Sequence, residues 1–298
     1  MSAETTQFRA PIVSASAMSE VADGVWVIPD ADRIPMVPNI GIVVGSRATL
    51  VIDTGLGTEN ATAVLEEARR LSAGRPLFLT LTHFHPEHGY GANVFADQAT
   101  IVYNEAQWVE LQEKGEAYSR LFREGAPEVA PMLAGVEFIA PHVRYTGSLS
   151  FDLGGGQIAE LHEHGGGHSR GDQVILVRGS SPVLFAGDLV EDRYFGVLPD
   201  DDAHVVPWIS RLEELERYHA PIVVPGHGMA GGHELIVTYR ECFELARRRV
   251  TELREEGGHS EEEIVDQVSS ELLGRYPDWD NQEWARTAAA DLKWPARP

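Results

Sequence analysis

Three histidines and a glutamate crowd one short stretch, LTHFHPEHGYG, as His83, His85, Glu87 and His88. In an extended chain His83 and His85 point to the same side, because side chains alternate along a strand. Pro86 suits the first turn of a helix, which would set Glu87 and His88 at that helix start, facing back to the strand end. Imidazole and carboxylate together suit zinc, iron or manganese better than an ion that prefers thiolate. The plain alternative is a run of surface histidines on a loop. Such tight clustering at the end of an apolar strand argues against it.

Four ligands on one loop would strain a single site, so partners are expected elsewhere. Three places offer them, each at a strand end: His168 in EHGGGHSRGD, Asp188 in VLFAGDLV and His227 in IVVPGHG. A carboxylate ending the apolar run LFAG is costly to bury unless something compensates its charge, and a metal would do so. Singly each is weak, since a histidine beside glycine is usually a turn residue. In this order and together they are strong.

The elements that must position these residues follow from the pattern around them. GVWVIPD, IGIVVGS and ATLVIDTG read as short strands bounded by Gly, Pro, Asn and Asp. A helix over about 59–72 shows apolar residues at helical spacing, and the strand PLFLTLT then ends at the histidine cluster. ATIVYN reads as a strand and NEAQWVELQEKGEAYSRLFREG as a helix, while 126–146 has no clear period and reads as an irregular, lid-like insertion. Strands resume with SLSFDLG, GQIAELHEH, DQVILVRG and PVLFAGD. A helix near 207–219, the strand PIVVPG and a long helix over about 232–256 follow. Ser260 and Glu263 form a capping box for a further helix, and 281–294 reads as a terminal helix docked by Trp279, Trp284 and Trp294. Strands then helix, taken twice, fit two sheets packed inside outer helices.

Composition bounds the rest. The chain of 298 residues is 43% hydrophobic and 23% charged, ordinary for a globular protein with a large core. A net charge of −22 would repel a polyanion, which excludes nucleic acid as an expected partner. No run approaches a membrane helix, and the polar start MSAETTQFRAPIVSASAMSE does not resemble an export signal. A lone cysteine, Cys242, in an apparent helix suits packing and a reducing cytoplasm. The glycine triplets at 154–156 and 165–167 match no phosphate-binding loop and read as turns. His162 and His164 lie on a strand leading to His168, where an exposed strand face explains them as well as the site does. His142, His204 and His233 have no motif around them.

The ordered series Asp53 in LVIDTG, HFHPEH at 83–88, His168 in GHSRGD, Asp188 in FAGD and His227 in PGHG resembles the metallo-β-lactamase superfamily. The resemblance runs over about 40–230 and implies an α+β fold, an αββα sandwich with a metal site at the rim between its sheets. It implies a catalytic domain over 1–235, with the lid-like insertion near 104–147, and a helical extension over 236–298. It further implies that His83, His85 and His168 hold one metal, that Glu87, His88 and His227 hold a second, and that Asp188 bridges them. Two ions about 3.5–4 Å apart would activate a water for attack. Asp53 would orient the site through hydrogen bonds.

Glu87 stands where the family usually has Asp, keeping the charge and adding a methylene. Two metals remain the favoured reading because His88, Asp188 and His227 are all present, with a single-metal enzyme as the rival. Glu87, Asp188 and Asp53 are the candidate catalytic carboxylates. An acid at Asp188, where zinc β-lactamases of the common kind carry Cys or another residue, is more similar to the glyoxalase-II, lactonase and related branches. The glyoxalase-II role itself fits less well, since the late basic run ARRR lies on a helix rich in acids.

Substrate contacts are expected from loops at the rim, with Ile34 and Met36 in PDADRIPMVPNI and Arg193, Tyr194 and Phe195 in VEDRYFGVLPD. The combined expectation is a cytoplasmic hydrolase, with one or two Zn2+ (or Fe or Mn). It would cleave an ester, lactone, thioester, amide or activated ether bond of a small apolar or aromatic substrate. A di-iron redox enzyme and a partner-dependent subunit with an altered site are the alternatives. The lid and terminal helices would suit a subunit interface.

Overall fold

Residues 9–292 are described in the structure, a computed structural model. The early apolar runs form β1 (Ser19–Ala22), β2 (Val25–Ile28), β3 (Ile40–Val44) and β4 (Thr49–Ile52), which pair antiparallel in sequence order. α1 (Gly57–Ser72) crosses to β5 (Leu77–Thr80), which lies parallel to β4, and β6 (Thr100–Asn104) and β7 (Val143–Tyr145) extend the sheet in parallel. The order in this seven-stranded sheet is therefore β1 to β7 without a crossover of positions. The second sheet has the order β12-β11-β10-β9-β8. Its strands are β8 (Ser148–Gly154), β9 (Gln157–Glu163), β10 (Gln173–Arg178), β11 (Val183–Gly187) and β12 (Ile222–Pro225). Only β11 and β12 pair in parallel.

Three apolar clusters account for the layering. Between the sheets lie Val27, Leu50, Leu161, Ile175, Phe185 and Val224, all buried. The outer face of the first sheet packs against α1 and α3 (Glu105–Gly125) through residues such as Ile42, Val64, Leu79 and Leu111. Over the second sheet lie α4 (Val205–Glu216), α5 (Glu234–Glu256), α6 (Glu261–Arg275) and α7 (Glu283–Asp291). Trp208, Tyr239, Val265 and Ala285 anchor these helices in one shared cluster with Val174 and Leu184. Helix, sheet, sheet, helix is the αββα sandwich, with strands such as β3, β4 and β11 almost wholly buried because both faces are covered.

Local rules place several boundaries. α6 begins at Ser260, whose hydroxyl accepts from the Glu263 amide while the Glu263 carboxylate accepts from the Ser260 amide. Cys242 is buried in α5. Two elements differ from the sequence reading. The stretch 126–146 is not irregular throughout: it holds a 3-10 turn at Ala130–Leu133 and the edge strand β7. A three-residue strand is too short to show a period, and its pairing with β6 is what defines it. β1 is likewise unread in the sequence, because SEVA is a polar edge strand with little burial. Trp294 lies outside the described residues.

Gly41 sets the spacing of the sheets, since a Cβ there would collide with the Phe185 ring across the interior. Gly41→Ala should cost about 1–3 kcal/mol by overpacking, read as a lower denaturation midpoint.

Candidate metal centre

The donors converge because four strands end at the same edge of the sandwich. β4 delivers Asp53, β5 leads into the turn carrying His83 and His85, β11 delivers Asp188, and β12 delivers His227. α2 (Pro86–Gly89) starts with proline in its first turn and carries Glu87 and His88, and the β9–β10 connection supplies His168. Gly226 is required beside this edge, because a Cβ there would overlap the Asp188 carboxylate.

Two groups of donors result, each with atoms lying within 4.8 Å of one another: His83, His85 and His168, and Glu87, His88, Asp188 and His227. Asp188 faces both. Its Oδ2 is 3.8 Å from His83 Nε2, 3.5 Å from His168 Nε2 and 3.7 Å from His227 Nε2, and its Oδ1 is 3.2 Å from His88 Nε2. His227 Nε2 is 3.9 Å from the Glu87 carboxylate, so the longer side chain still reaches the second group. The six donors other than Glu87 are buried.

Hydrogen bonds on the far side of four of the rings, His83, His88, His168 and His227, fix their tautomers. His168 Nδ1 lies 2.9 Å from the Val197 carbonyl and His227 Nδ1 2.9 Å from the Val37 carbonyl, so each donates there and keeps its Nε2 lone pair for the centre. His88 Nδ1 donates to Asp53 Oδ2 at 2.9 Å. Asp53 also accepts from the Thr82 amide at 2.7 Å and the Thr82 hydroxyl at 2.8 Å, and that hydroxyl oxygen lies 3.2 Å from His83 Nδ1. One carboxylate thereby orients two imidazoles. Asp53 does so from a left-handed backbone, φ 67°, a strain of the kind that functional sites retain.

The inner atoms have no such partners. His83 Nε2, His88 Nε2 and Asp188 Oδ1 are buried without a hydrogen bond in the protein. His85 Nδ1 and His168 Nε2 face each other at 2.7 Å, an arrangement that a shared cation satisfies. Burial holds His83 well below the ordinary imidazole range and His168 at about 3, so both are neutral and able to donate lone pairs. For His88 burial works the other way from its neighbours, and the carboxylates of Asp188 and Asp53 outweigh it to raise its pKa. Burial likewise opposes ionisation of Asp188, yet His88, the strongest of the opposing influences, holds it well below the usual carboxylate range. These residues fit a divalent cation.

Next to this centre opens a cavity of about 380 Å³. Met36 and Tyr194 line it. Phe195 turns into the helical core against Trp279 and Tyr276, and Arg193 is half-exposed and pairs with Asp192, so neither lines the cavity. Ile34 packs on the outer cluster of the first sheet. His164 contacts Glu214 and Tyr218, and His162 contacts Glu160, away from the donors. Trp279 docks the terminal helix in the core, and Trp284 packs on the same core while also lining the cavity. Tyr118, Phe122 and Glu191 also line it. Glu191 is buried with a bond from the Tyr239 hydroxyl, and burial beside Asp188 raises its pKa. The sequence marks none of these three, because a helical aromatic or an isolated acid carries no spacing signal of its own.

An ion cluster braces the outer side. Lys114 Nζ donates to Glu110 at 2.9 Å, Asp200 at 3.0 Å and Asp202 at 2.8 Å. Asp200 lies 3.9 Å from His85 Nε2, and Glu110 accepts from the Gly171 amide at 2.6 Å, close after His168. Among the described residues no helix is long and apolar enough to cross a membrane.

The family profile of the metallo-beta-lactamase superfamily matches residues 33–227, and the chain belongs to that superfamily. It is 30% identical over 212 residues to the human protein named acyl-coenzyme A thioesterase MBLAC2, covering 66% of this chain and 75% of that one. A linear primary-alkylsulfatase of a Pseudomonas species is 22% identical over 265 residues, and the chain spans less than half of it. Among solved structures, a metallo-beta-lactamase from Pontibacter korlensis superposes with a TM-score of 0.61 at 22% identity, over 76% of this chain and 98% of that one. The DIM-1 metallo-beta-lactamase gives 0.61 at 19%, over 80% and 100%. These two likenesses show the fold. The superfamily and the donor cluster together imply divalent metal binding, and the thioesterase-named relatives support a metal-dependent hydrolase.

The brace has a pH signature. Burial opposes ionisation of Asp200, but His85 and Lys114 lower its pKa below the ordinary 3.8, so its contribution is full above about that pH and fades below it. Lys114→Met should cost about 2–3 kcal/mol at neutral pH and flatten the acid limb of a melting-temperature profile. An unchanged acid limb would show that Lys114 does not hold Asp200.

Proposed function

We propose that this chain is a binuclear zinc hydrolase that cleaves a thioester or ester of a small substrate with an apolar acyl or aryl group. The observation that supports this most directly is the convergence of the buried, unpartnered His83 Nε2, His88 Nε2 and Asp188 Oδ1 beside an open cavity. His83, His85 and His168 would hold one ion, and Glu87, His88 and His227 the other, with Asp188 between them. Imidazole nitrogen and carboxylate oxygen are the donors zinc takes in such sites. The bound ions would supply Lewis-acid activation of water and of the carbonyl under attack.

The chain's own residues account for the remaining steps. Glu87, at the cavity wall beside His227, would accept the proton given up by the attacking water. Asp53 keeps His88 and, through Thr82, His83 aligned throughout. Addition of water across the acyl bond yields a carboxylic acid and the freed thiol or alcohol. The thioesterase names of the relatives favour sulfur as the leaving atom. The free thiol of Cys242, buried and unpaired, suits a reducing cytoplasm.

Purified protein should carry two equivalents of zinc by elemental analysis and hydrolyse thioesters or aryl esters. His83→Ala and His168→Ala should abolish that activity. Two equivalents of iron with no hydrolysis would overturn the proposal. Glu87→Asp should keep the metal content and shift the pH–rate profile, whereas an identical profile would remove Glu87 from proton transfer. Asp53→Ala should weaken metal affinity by about 10–100-fold in chelator competition, because His88 loses its orienting acceptor.

A further inference from the structure

Four half-buried apolar side chains face the same cavity, and none belongs to a strand end that carries a donor. Met36 comes from the loop between β2 and β3, Tyr118 and Phe122 stand one turn apart on α3, and Trp284 comes from α7. Leaving this much apolar surface in contact with water is unfavourable, and a bound apolar group would relieve it. The surface is continuous with the metal centre, since the Tyr118 ring lies 5.2 Å from the His85 ring and both line the cavity.

Each wall is also fastened to the sandwich by charge. α3 is held one turn before Tyr118, where Lys114 binds Asp200 and Asp202. The segment before α7 is held by Asp280, which pairs with the Arg33 guanidinium at 2.8 Å. Asp280 also exchanges backbone bonds with the strand-end loop: its amide donates to the Arg193 carbonyl at 2.9 Å, and the Phe195 amide donates to its carbonyl at 3.0 Å. Arg33 further donates to the Asp192 carbonyl at 2.6 Å and stacks 4.1 Å over the Tyr194 ring, itself a wall of the cavity. Such fastening fixes the width of the cleft, which is what chain-length selectivity requires.

We infer that Met36, Tyr118, Phe122 and Trp284 form the subsite for the substrate's acyl chain, and that α7 is part of the active site as its specificity-determining wall. This rests on the hydrolase reading above. A straight acyl chain lies along the four side chains with its carbonyl at the metal centre, and the leaving group points to solvent.

The test is a series of straight-chain acyl esters on one leaving group, from acetyl to decanoyl, with the metal-loaded protein. The second-order rate constant should rise by about fourfold for each methylene buried, until the cleft is full. In Trp284→Ala and Phe122→Ala the deficit should grow with chain length and fall mainly on KM, and Trp284→Phe should recover much of it. Circular dichroism and metal content establish that each variant is folded and loaded. Hydrolysis with no chain-length dependence, or with one that the variants leave intact, would overturn the subsite while leaving the hydrolase standing. If neither these esters nor the matching thioesters are hydrolysed, the hydrolase reading fails, and calorimetric titration with straight-chain carboxylates decides the subsite. A chain-length dependence lost in Trp284→Ala upholds it, and its absence overturns it.

Discussion

Asp188 sits with its side chain 4% exposed among the rings of His83, His88, His168 and His227, and the cost of keeping that charge out of water shapes everything around it. A bare carboxylate in such a place would be several kcal/mol unfavourable. Of the imidazoles, His88 offsets part of that cost, while burial holds His83 and His168 neutral. The Nε2 atoms of His83 and His168 turn lone pairs, not protons, toward Asp188. A cationic centre resolves the conflict, and the sandwich is arranged to meet that need at the edge where its strands end.

Outward from the centre the same logic repeats with protein groups in place of ions. Asp53 is buried because it receives three donors, one from His88 and two from Thr82. Asn39 ties the rim loop to the His227 turn, its amide donating to the carbonyls of Pro225 and Gly228 at 2.8 and 2.9 Å. Lys114 and Arg33 then secure the helices that wall the cavity. In a chain with 46 acids and 24 basic residues, two well-placed cations do disproportionate structural work at the site. A partly buried cation meeting several carboxylates gains more than an exposed pair, which is worth little.

Much of the fold was legible from local signals. Alternating and continuous apolar runs mark β2 to β6 and β8 to β12, and the capping box at Ser260 marks the start of α6. The edge strands β1 and β7 were not legible, because one is polar and the other is three residues long. The donors could be listed because His83, His85, Glu87 and His88 are neighbours in sequence, and because His168, Asp188 and His227 each follow or flank a strand end. The carbonyls of Val37 and Val197, which fix two tautomers, could not be read, since every residue has a carbonyl.

The sequence by itself therefore determined the donor types, their order and the strand ends that carry them, all properties of short segments whose geometry the backbone period dictates. Only the tertiary structure decided which backbone carbonyls fix the rings of His168 and His227, and that Arg193 and Phe195 turn away while Tyr118, Phe122 and Trp284 line the cavity. Those outcomes depend on how two sheets and their outer helices pack across separations of a hundred residues and more. A residue's own neighbours along the chain carry no record of that packing.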